Sequence, residues 1–109
     1  MRALPQPSVD SITMSTVLAA LADPVRLALM RTINIRTEPI DCSIVAGSVD
    51  VSAPTVSHHW RVLREAGLTS TMVDGRKRNI RIRREDLDRR FPGLLTAILT
   101  PGGAESEPA

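Results

Sequence analysis

The sequence predicts a mainly α-helical domain that carries one small two-stranded β-hairpin. Apolar residues recur at helical spacing up to Leu68, alternate with polar residues from Thr69 to Arg83, and then return to helical spacing until Leu99. Only two of the 109 residues are aromatic, so the core must be aliphatic, which suits short packed helices better than a β-sandwich.

The length of the chain is that of one domain. We divide it into a flexible N-terminal arm at 1–9, a folded domain at 10–100 and a disordered tail at 101–109, because both ends show little apolar pattern. A core of this size is marginal by itself, so association into an oligomer would stabilise it.

The first two helices are predicted on either side of Asp23. The first covers 10–22, and three apolar residues lie on one of its faces: Met14, Leu18 and Leu21. Asp23 is a good N-cap for the second helix, with Pro24 at the first helical position, where the missing N–H costs nothing. We expect this helix to end near Ile35.

A short helix, a tight turn and a longer helix follow. Asp41 is the expected N-cap of a short helix over 42–46. Ser52 is the expected N-cap of the longer helix, in which Pro54 is tolerated because it lies within the first turn. Gly67 follows the last helical residue and is suited to ending this helix.

The alternating segment predicts a β-hairpin, and a last helix follows it. The strands are expected at 69–73 and 79–83, with Asp74-Gly75 as the turn signal between them. The last helical pattern covers 87–99, and Pro92-Gly93 is expected to break or kink it.

Positive charge is concentrated in one part of the chain. The formal net charge is +2, yet the segment 52–84 has eight basic and two acidic residues, so the remainder is net acidic. Its basic residues are Arg61, Arg64, Arg76, Lys77, Arg78, Arg81, Arg83 and Arg84. This distribution indicates a polyanionic partner that one face of the protein contacts.

The short helix, turn and longer polar-faced helix are typical of a helix-turn-helix, whose second helix lies in the major groove of double-stranded DNA. Thr55 and Ser57 can donate or accept hydrogen bonds, and Ala53 or the Thr55 methyl can touch a thymine methyl. His58 and Arg61 lie further along and can reach bases or phosphate. The candidate DNA-binding residues of this helix are Ala53, Pro54, Thr55, Ser57, His58 and Arg61.

The basic hairpin is interpreted as a wing. Arg76, Lys77 and Arg78 suit phosphate contact or insertion into the minor groove. The order of elements therefore predicts a winged helix-turn-helix and a sequence-specific transcriptional regulator. The run Arg81, Arg83 and Arg84 is interpreted as directed at DNA as well, with a solvated strand face as the alternative.

Two segments resemble the ArsR/SmtB family of winged-helix regulators. They are residues 19–28, which read AALADPVRLA, and residues 52–68, which read SAPTVSHHWRVLREAGL, and the resemblance covers roughly 12–99. It implies a homodimer whose first and last helices form the interface. It also implies binding to an inverted-repeat operator, usually as a repressor that an inducer releases.

The sensing sites of that family are incomplete here. Cys42 has no second cysteine for the metal-binding Cys-x-Cys pair or for redox sensing, and the last helix has Glu85, Asp86 and Asp88 but no histidine. No cofactor is therefore assigned. A divalent metal such as nickel or zinc, bound at a non-standard site of His, Asp and Glu, is one alternative, and a regulator that acts mainly through a protein partner is another.

Simpler roles are expected for several conspicuous residues. Adjacent helical side chains point about 100° apart, so His58 is predicted to face DNA and His59 to pack inside rather than to share a metal. Cys42 is expected to be a small buried hydrophobic residue, and Trp60 to belong to the core. The acidic run is expected at a helix N-terminus, where carboxylates are favoured.

Other functional classes receive no support from the sequence. There is no nucleophile and base arrangement, Gly-rich phosphate loop or carboxylate pair in an apolar setting, so no enzyme activity is predicted. There is no apolar signal segment and no run of about 20 apolar residues, so we expect a cytoplasmic protein that does not enter the membrane.

Overall fold

Six α-helices pack around one aliphatic core in the part of the chain that the computed structural model describes, residues 2–36, 38–47 and 49–100. The helices are α1 (Met14–Leu21), α2 (Pro24–Asn34), α3 (Cys42–Ala46), α4 (Ala53–Glu65), α5 (Arg84–Arg90) and α6 (Leu94–Leu99). Four strands of the same residues form one antiparallel sheet in the order β1-β3-β4-β2: β1 (Arg2–Ala3), β2 (Ile40–Asp41), β3 (Thr69–Asp74) and β4 (Lys77–Ile82). The mainly α fold with a small wing is thus confirmed.

The predicted N-caps begin their helices. The Asp23 carboxylate accepts the N–H groups of Val25 at 2.8 Å and Arg26 at 3.1 Å. The side chain of Asp41 accepts a backbone N–H at the start of α3, and that of Ser52 does so at the start of α4. Each cap satisfies amide donors that have no partner within the helix.

Helix α1 begins later than the sequence predicts. The Thr13 hydroxyl caps Met14–Leu21, whereas the helix was expected from Asp10. Residues Val9–Ser11 form a separate 3₁₀ turn instead. A hydroxyl that accepts the N–H of a residue three positions later fixes the cap in extended backbone, so the helix cannot extend upstream of Thr13.

Every helix contributes to the core. Each of the six helices contributes at least one residue that is at most 2% exposed: Val17, Leu29, Met30, Val45, Leu63, Leu87, Leu95 and Leu99. Trp60 is 5% exposed and lies among them, so its predicted core role is confirmed. Truncating one such Leu to Ala is expected to destabilise the fold by about 2–5 kcal/mol.

The hairpin turn lies one residue later than the Asp74-Gly75 signal indicates. Asp74 pairs with Lys77, so the two turn residues are Gly75 and Arg76. Gly75 has a φ of +63°, and no non-glycine residue of the described chain has a positive φ. A glycine with positive φ at the first central position is typical of a type II′ turn, which matches the twist of the strands.

The sheet is wider than the predicted two strands because both edges receive a short partner. Ile40 of β2 is opposite Ile80, and Arg2 of β1 is opposite Val73. The amide of Leu4 also donates to the Thr71 carbonyl at 2.9 Å. Strand pairing uses backbone groups and needs no apolar pattern, so residues of the predicted N-terminal arm can pair with the sheet.

The last helical segment breaks where Pro92-Gly93 predicts. Helix α5 starts at Arg84, three residues before the predicted start, and α6 follows the break and packs against α2. The guanidinium of Arg31 donates to the Ile98 carbonyl at 3.0 Å, which ties α6 to α2. The tail predicted at 101–109 lies outside the described residues.

Within the described part of the chain, no helix has the length and apolar character needed to cross a membrane.

Candidate nucleic-acid interface

The exposed face of α4 carries all the DNA-binding candidates of that helix. The buried residues Val56, His59, Trp60 and Leu63 occupy the opposite face. All six candidates are solvent-exposed: Ala53, Pro54, Thr55, Ser57, His58 and Arg61. The first turn of α4, which carries small side chains, is therefore free to approach a groove of DNA.

Thr55 has a structural role that the sequence pattern did not predict. The Ser52 and Thr55 hydroxyls lie 2.8 Å apart, and the Thr55 amide donates to Ser52 Oγ at 3.4 Å. The Thr55 hydroxyl is thus part of the helix cap. This role orients the Thr55 methyl group and leaves the hydroxyl with limited hydrogen-bonding capacity toward a ligand.

The three wing cations are exposed, but they do not form one row. Arg76 lies in the turn, while Lys77 and Arg78 are the first two residues of β4. Successive side chains of a strand point to opposite faces of the sheet. Lys77 and Arg78 therefore serve different sides of the wing.

Arg78 of the wing lies near Arg61 and Arg64 of α4, and we call these three residues the Arg61–Arg64–Arg78 cluster. Burial lowers the pKa of Arg64, and the nearby charges of Arg78 and Arg61 lower it further against an opposing effect of Glu65. The Arg64 Nε is buried without a hydrogen-bond partner in the described structure. Its place three residues after Arg61 on the helix was the sequence signal that could have revealed this member.

Two arginines predicted to face DNA have hydrogen-bond partners within the protein. Arg83 is 8% exposed and binds Asp86 at 3.0 Å and the Pro7 carbonyl at 2.7 Å. Arg84 donates to Asn34 Oδ1 at 2.8 Å. Because Arg83 is buried and paired with a carboxylate, its prediction was wrong, whereas Arg81 and Arg84 remain exposed.

A polar network fixes α4 against the junction of α1 and α2. Arg26 donates through Nε to the Ala20 carbonyl at 2.6 Å, and its second guanidinium nitrogen lies 3.2 Å from His59 Nδ1. A guanidinium has no acceptor, so His59 Nδ1 accepts this bond without carrying a proton. His59 is 8% exposed, which confirms its predicted packing role.

Comparisons with known proteins agree with this geometry. A helix-turn-helix domain family matches residues 21–71. YceK of Bacillus subtilis, an uncharacterized HTH-type transcriptional regulator, is 32% identical over 89 residues, which are 82% of this chain and 89% of YceK. The crystal structure of the ArsR family regulator RHA00566 matches with a TM-score of 0.65 and 26% identity, over 77% of this chain and 90% of that one.

The chain belongs to the ArsR family of winged helix-turn-helix regulators. It is a DNA-binding transcriptional regulator and not an enzyme, as the sequence predicts. The homodimeric winged helix-turn-helix domain Mb0332 of Mycobacterium bovis has the same fold, with a TM-score of 0.64 and 22% identity over 87% of this chain and 84% of that one.

The residues considered for sensing in this ArsR-family regulator have structural surroundings. Burial raises the pKa of the half-buried Cys42 thiol, and Asp41 raises it further while Arg78 opposes. A thiol with a raised pKa is a poor nucleophile and metal ligand. Glu85 and Asp86 lie in the first turn of α5, as predicted, and the described residues contain no group of three His, Cys, Asp or Glu suited to a metal.

Proposed function

We propose that this regulator binds a double-stranded operator through α4 in the major groove and through the wing on the flanking backbone. The observation that carries this proposal is that the candidate residues of α4 and the three wing cations are all solvent-exposed, with Arg61 and Arg78 both near Arg64. Phosphates are the natural partners of guanidinium groups brought together in this way.

The first turns of α4 would read the base edges. Ala53, Pro54 and the Thr55 methyl suit apolar contact with thymine, while Ser57 and His58 offer polar groups on the exposed face. Arg61 would reach a base edge or a phosphate. Arg76, Lys77 and Arg78 would contact phosphates or enter the minor groove, on two sides of the wing.

The regulator would act as a homodimer on an inverted repeat. Met14 and Leu18 are one turn apart on α1, and 40% and 44% of their surfaces are exposed. In contrast, Leu29, Met30 and Ile33 of α2 are buried in the core, so α1 is better suited to an interface than α2. A symmetric dimer would place half-site centres about 34–36 Å apart.

The test measures fluorescence anisotropy on DNA from upstream of the gene itself and on a scrambled fragment, over a range of salt. We expect tight binding to the native fragment only. The R76A/K77A/R78A variant should weaken binding and reduce the salt slope by roughly 0.9 for each phosphate that the wing no longer neutralises. R89A removes an exposed arginine of α5 outside the proposed surface and is the matched control.

Two results would contradict the proposal. An unchanged salt slope in R76A/K77A/R78A would remove the wing from the interface. Equal weak binding to the native and scrambled fragments would argue against operator recognition and favour the alternative, a regulator that acts through a protein partner.

A further inference from the structure

A second positively lined feature lies away from the proposed DNA surface. It is a cleft of about 750 Å³ between the end of β4 and the ends of α2, α5 and α6. Its lining includes Asn34, Arg36, Arg81, Arg84, Thr96 and Thr100. A cavity of this size matches the few hundred to a thousand Å³ typical of small-molecule sites.

The charges that line this cleft are not balanced. Arg83 and Asp86 also line it, but they pair with each other at 3.0 Å and cancel. The side chains of Arg36 and Arg81 are exposed and make no hydrogen bond or ion pair within the described residues. With Arg84, three guanidinium groups remain against one carboxylate, that of Glu85.

One of these cations is fixed in position without losing its charge. Arg84 donates to Asn34 Oδ1 at 2.8 Å and to the Asn34 carbonyl at 3.3 Å, and both acceptors are neutral. A fixed, charged guanidinium loses little freedom when it binds a ligand, so the site is partly prepared for an anion. The hydroxyl groups of Thr96 and Thr100 add neutral donors to the same cleft.

The cleft is separate from the proposed operator surface. None of its lining residues is among those that the proposed function assigns to DNA, and Arg81 and Arg84, which the sequence pattern directed at DNA, line the cleft instead. Arg81 follows Lys77 by four positions on β4, which corresponds to roughly 13 Å along an extended strand.

We propose that this cleft binds a small organic anion that carries two or more carboxylate or phosphate groups. The fork of a guanidinium matches both oxyanions, and several guanidinium groups around one cleft favour a ligand with several negative charges. The proposal does not depend on operator recognition, since it concerns other residues and needs no DNA.

The experiment titrates citrate and inorganic phosphate into the full chain at constant ionic strength and follows the backbone amide resonances by NMR. We expect saturable shifts centred on the cleft. R36A/R81A should weaken binding roughly a hundredfold, because each of the two lost charge-assisted hydrogen bonds contributes roughly tenfold. R89A, which removes the same type of charge from a site outside the cleft, should retain affinity within about twofold of the parent.

The variants are expected to fold, since Arg36 and Arg81 make no hydrogen bond or ion pair through their side chains in the described structure, and the amide spectra report this directly. Tighter binding of citrate would assign a polycarboxylate ligand, and tighter binding of phosphate a phosphorylated one. Shifts that do not saturate, or that are equal in R36A/R81A and R89A, would overturn the proposal. A loss of DNA affinity in R36A/R81A but not in R89A, without any small anion, would also overturn it, because the cleft would then be part of the DNA surface.

Discussion

At the scale of single residues, Asp23 and Arg26 connect the N-terminal helices to the DNA-facing helix. The Asp23 carboxylate caps α2 by accepting the amide of Arg26, and the Arg26 side chain reaches both the Ala20 carbonyl and His59 on α4. The Asp23 cap therefore also helps to position α4, because it holds the backbone of the arginine that contacts His59. Burial by itself raises the pKa of Asp23, but the amide bonds from Arg26 and Val25 and the charge of Arg26 outweigh it and hold that pKa below its usual 3.8.

Replacing this cap should make the stability depend on pH in a defined direction. D23A should lower the free energy of unfolding by about 1 kcal/mol at pH 7. Because the pKa of Asp23 is lower in the folded state, its contribution is complete above pH 3.8 and is lost as the pH falls through the folded value. Urea unfolding of both proteins across this range measures the difference.

The gap between the parent and D23A should therefore narrow at acid pH. D23N is the control, because asparagine retains a cap acceptor that does not titrate. A gap that is constant from pH 7 to pH 3 would contradict the role assigned to the ionised carboxylate.

At the scale of elements, the end of α4 depends on a close approach between two segments. Gly67 has a φ of +90°, and the amide of Leu68 donates to the Leu63 carbonyl at 3.0 Å, which closes the helix. The side chain of Ile12 covers this glycine, so a Cβ atom there would lie 2.6 Å from Ile12 Cγ1. The turn that leads from α4 into the wing is thus held by the segment before α1.

G67A should destabilise the fold more than the same substitution at the break between α5 and α6. Both glycines have positive φ, +90° at Gly67 and +84° at Gly93, but a Cβ atom at Gly93 meets nothing within 4 Å. We expect G93A to lose about 1 kcal/mol from backbone strain and G67A to lose about 1–3 kcal/mol more from overpacking. Denaturant unfolding measures both, and equal losses would contradict the packing of Ile12 on Gly67.

At the scale of the whole molecule, the described chain leaves one apolar stripe uncovered on a helix that contacts α4. Met14 and Leu18 lie on α1, which packs against both α2 and α4. Covering this stripe with a second copy would fix the relative position of two α4 helices. Two helices held in this way can meet successive major grooves, which connects dimerisation to operator spacing.

Placing charge on this stripe should separate the proposed dimer. The M14D/L18D variant should have the monomer mass of 11.9 kDa by light scattering, while the parent is expected to have twice that mass. Its operator affinity should fall, because one wing and one α4 give half of the binding surface. I35D is the matched control, since Ile35 is 74% exposed and is not on α1. A dimeric M14D/L18D protein would contradict the proposed interface.

The sequence by itself predicted those features that depend on residues close together in the chain. The N-caps Asp23, Asp41 and Ser52 accept hydrogen bonds from amides two or three positions later in the chain. A short stretch of sequence is therefore enough to predict where these helices begin. The alternation of the hairpin and the break at Pro92-Gly93 are equally local. These signals were sufficient for the fold class and for the exposed residues of α4.

Only the tertiary structure decided which positive charges remain available. Arg83 is neutralised by Asp86 and bound to a carbonyl 76 positions earlier in the chain, while Arg84 is held by the neutral side chain of Asn34, 50 positions away, and keeps its charge. The same long-range packing brings Arg64 beside Arg78 and leaves Arg36 and Arg81 in one cleft. Charge in a sequence is a property of each residue, but its availability to a ligand depends on neighbours that only the folded chain provides.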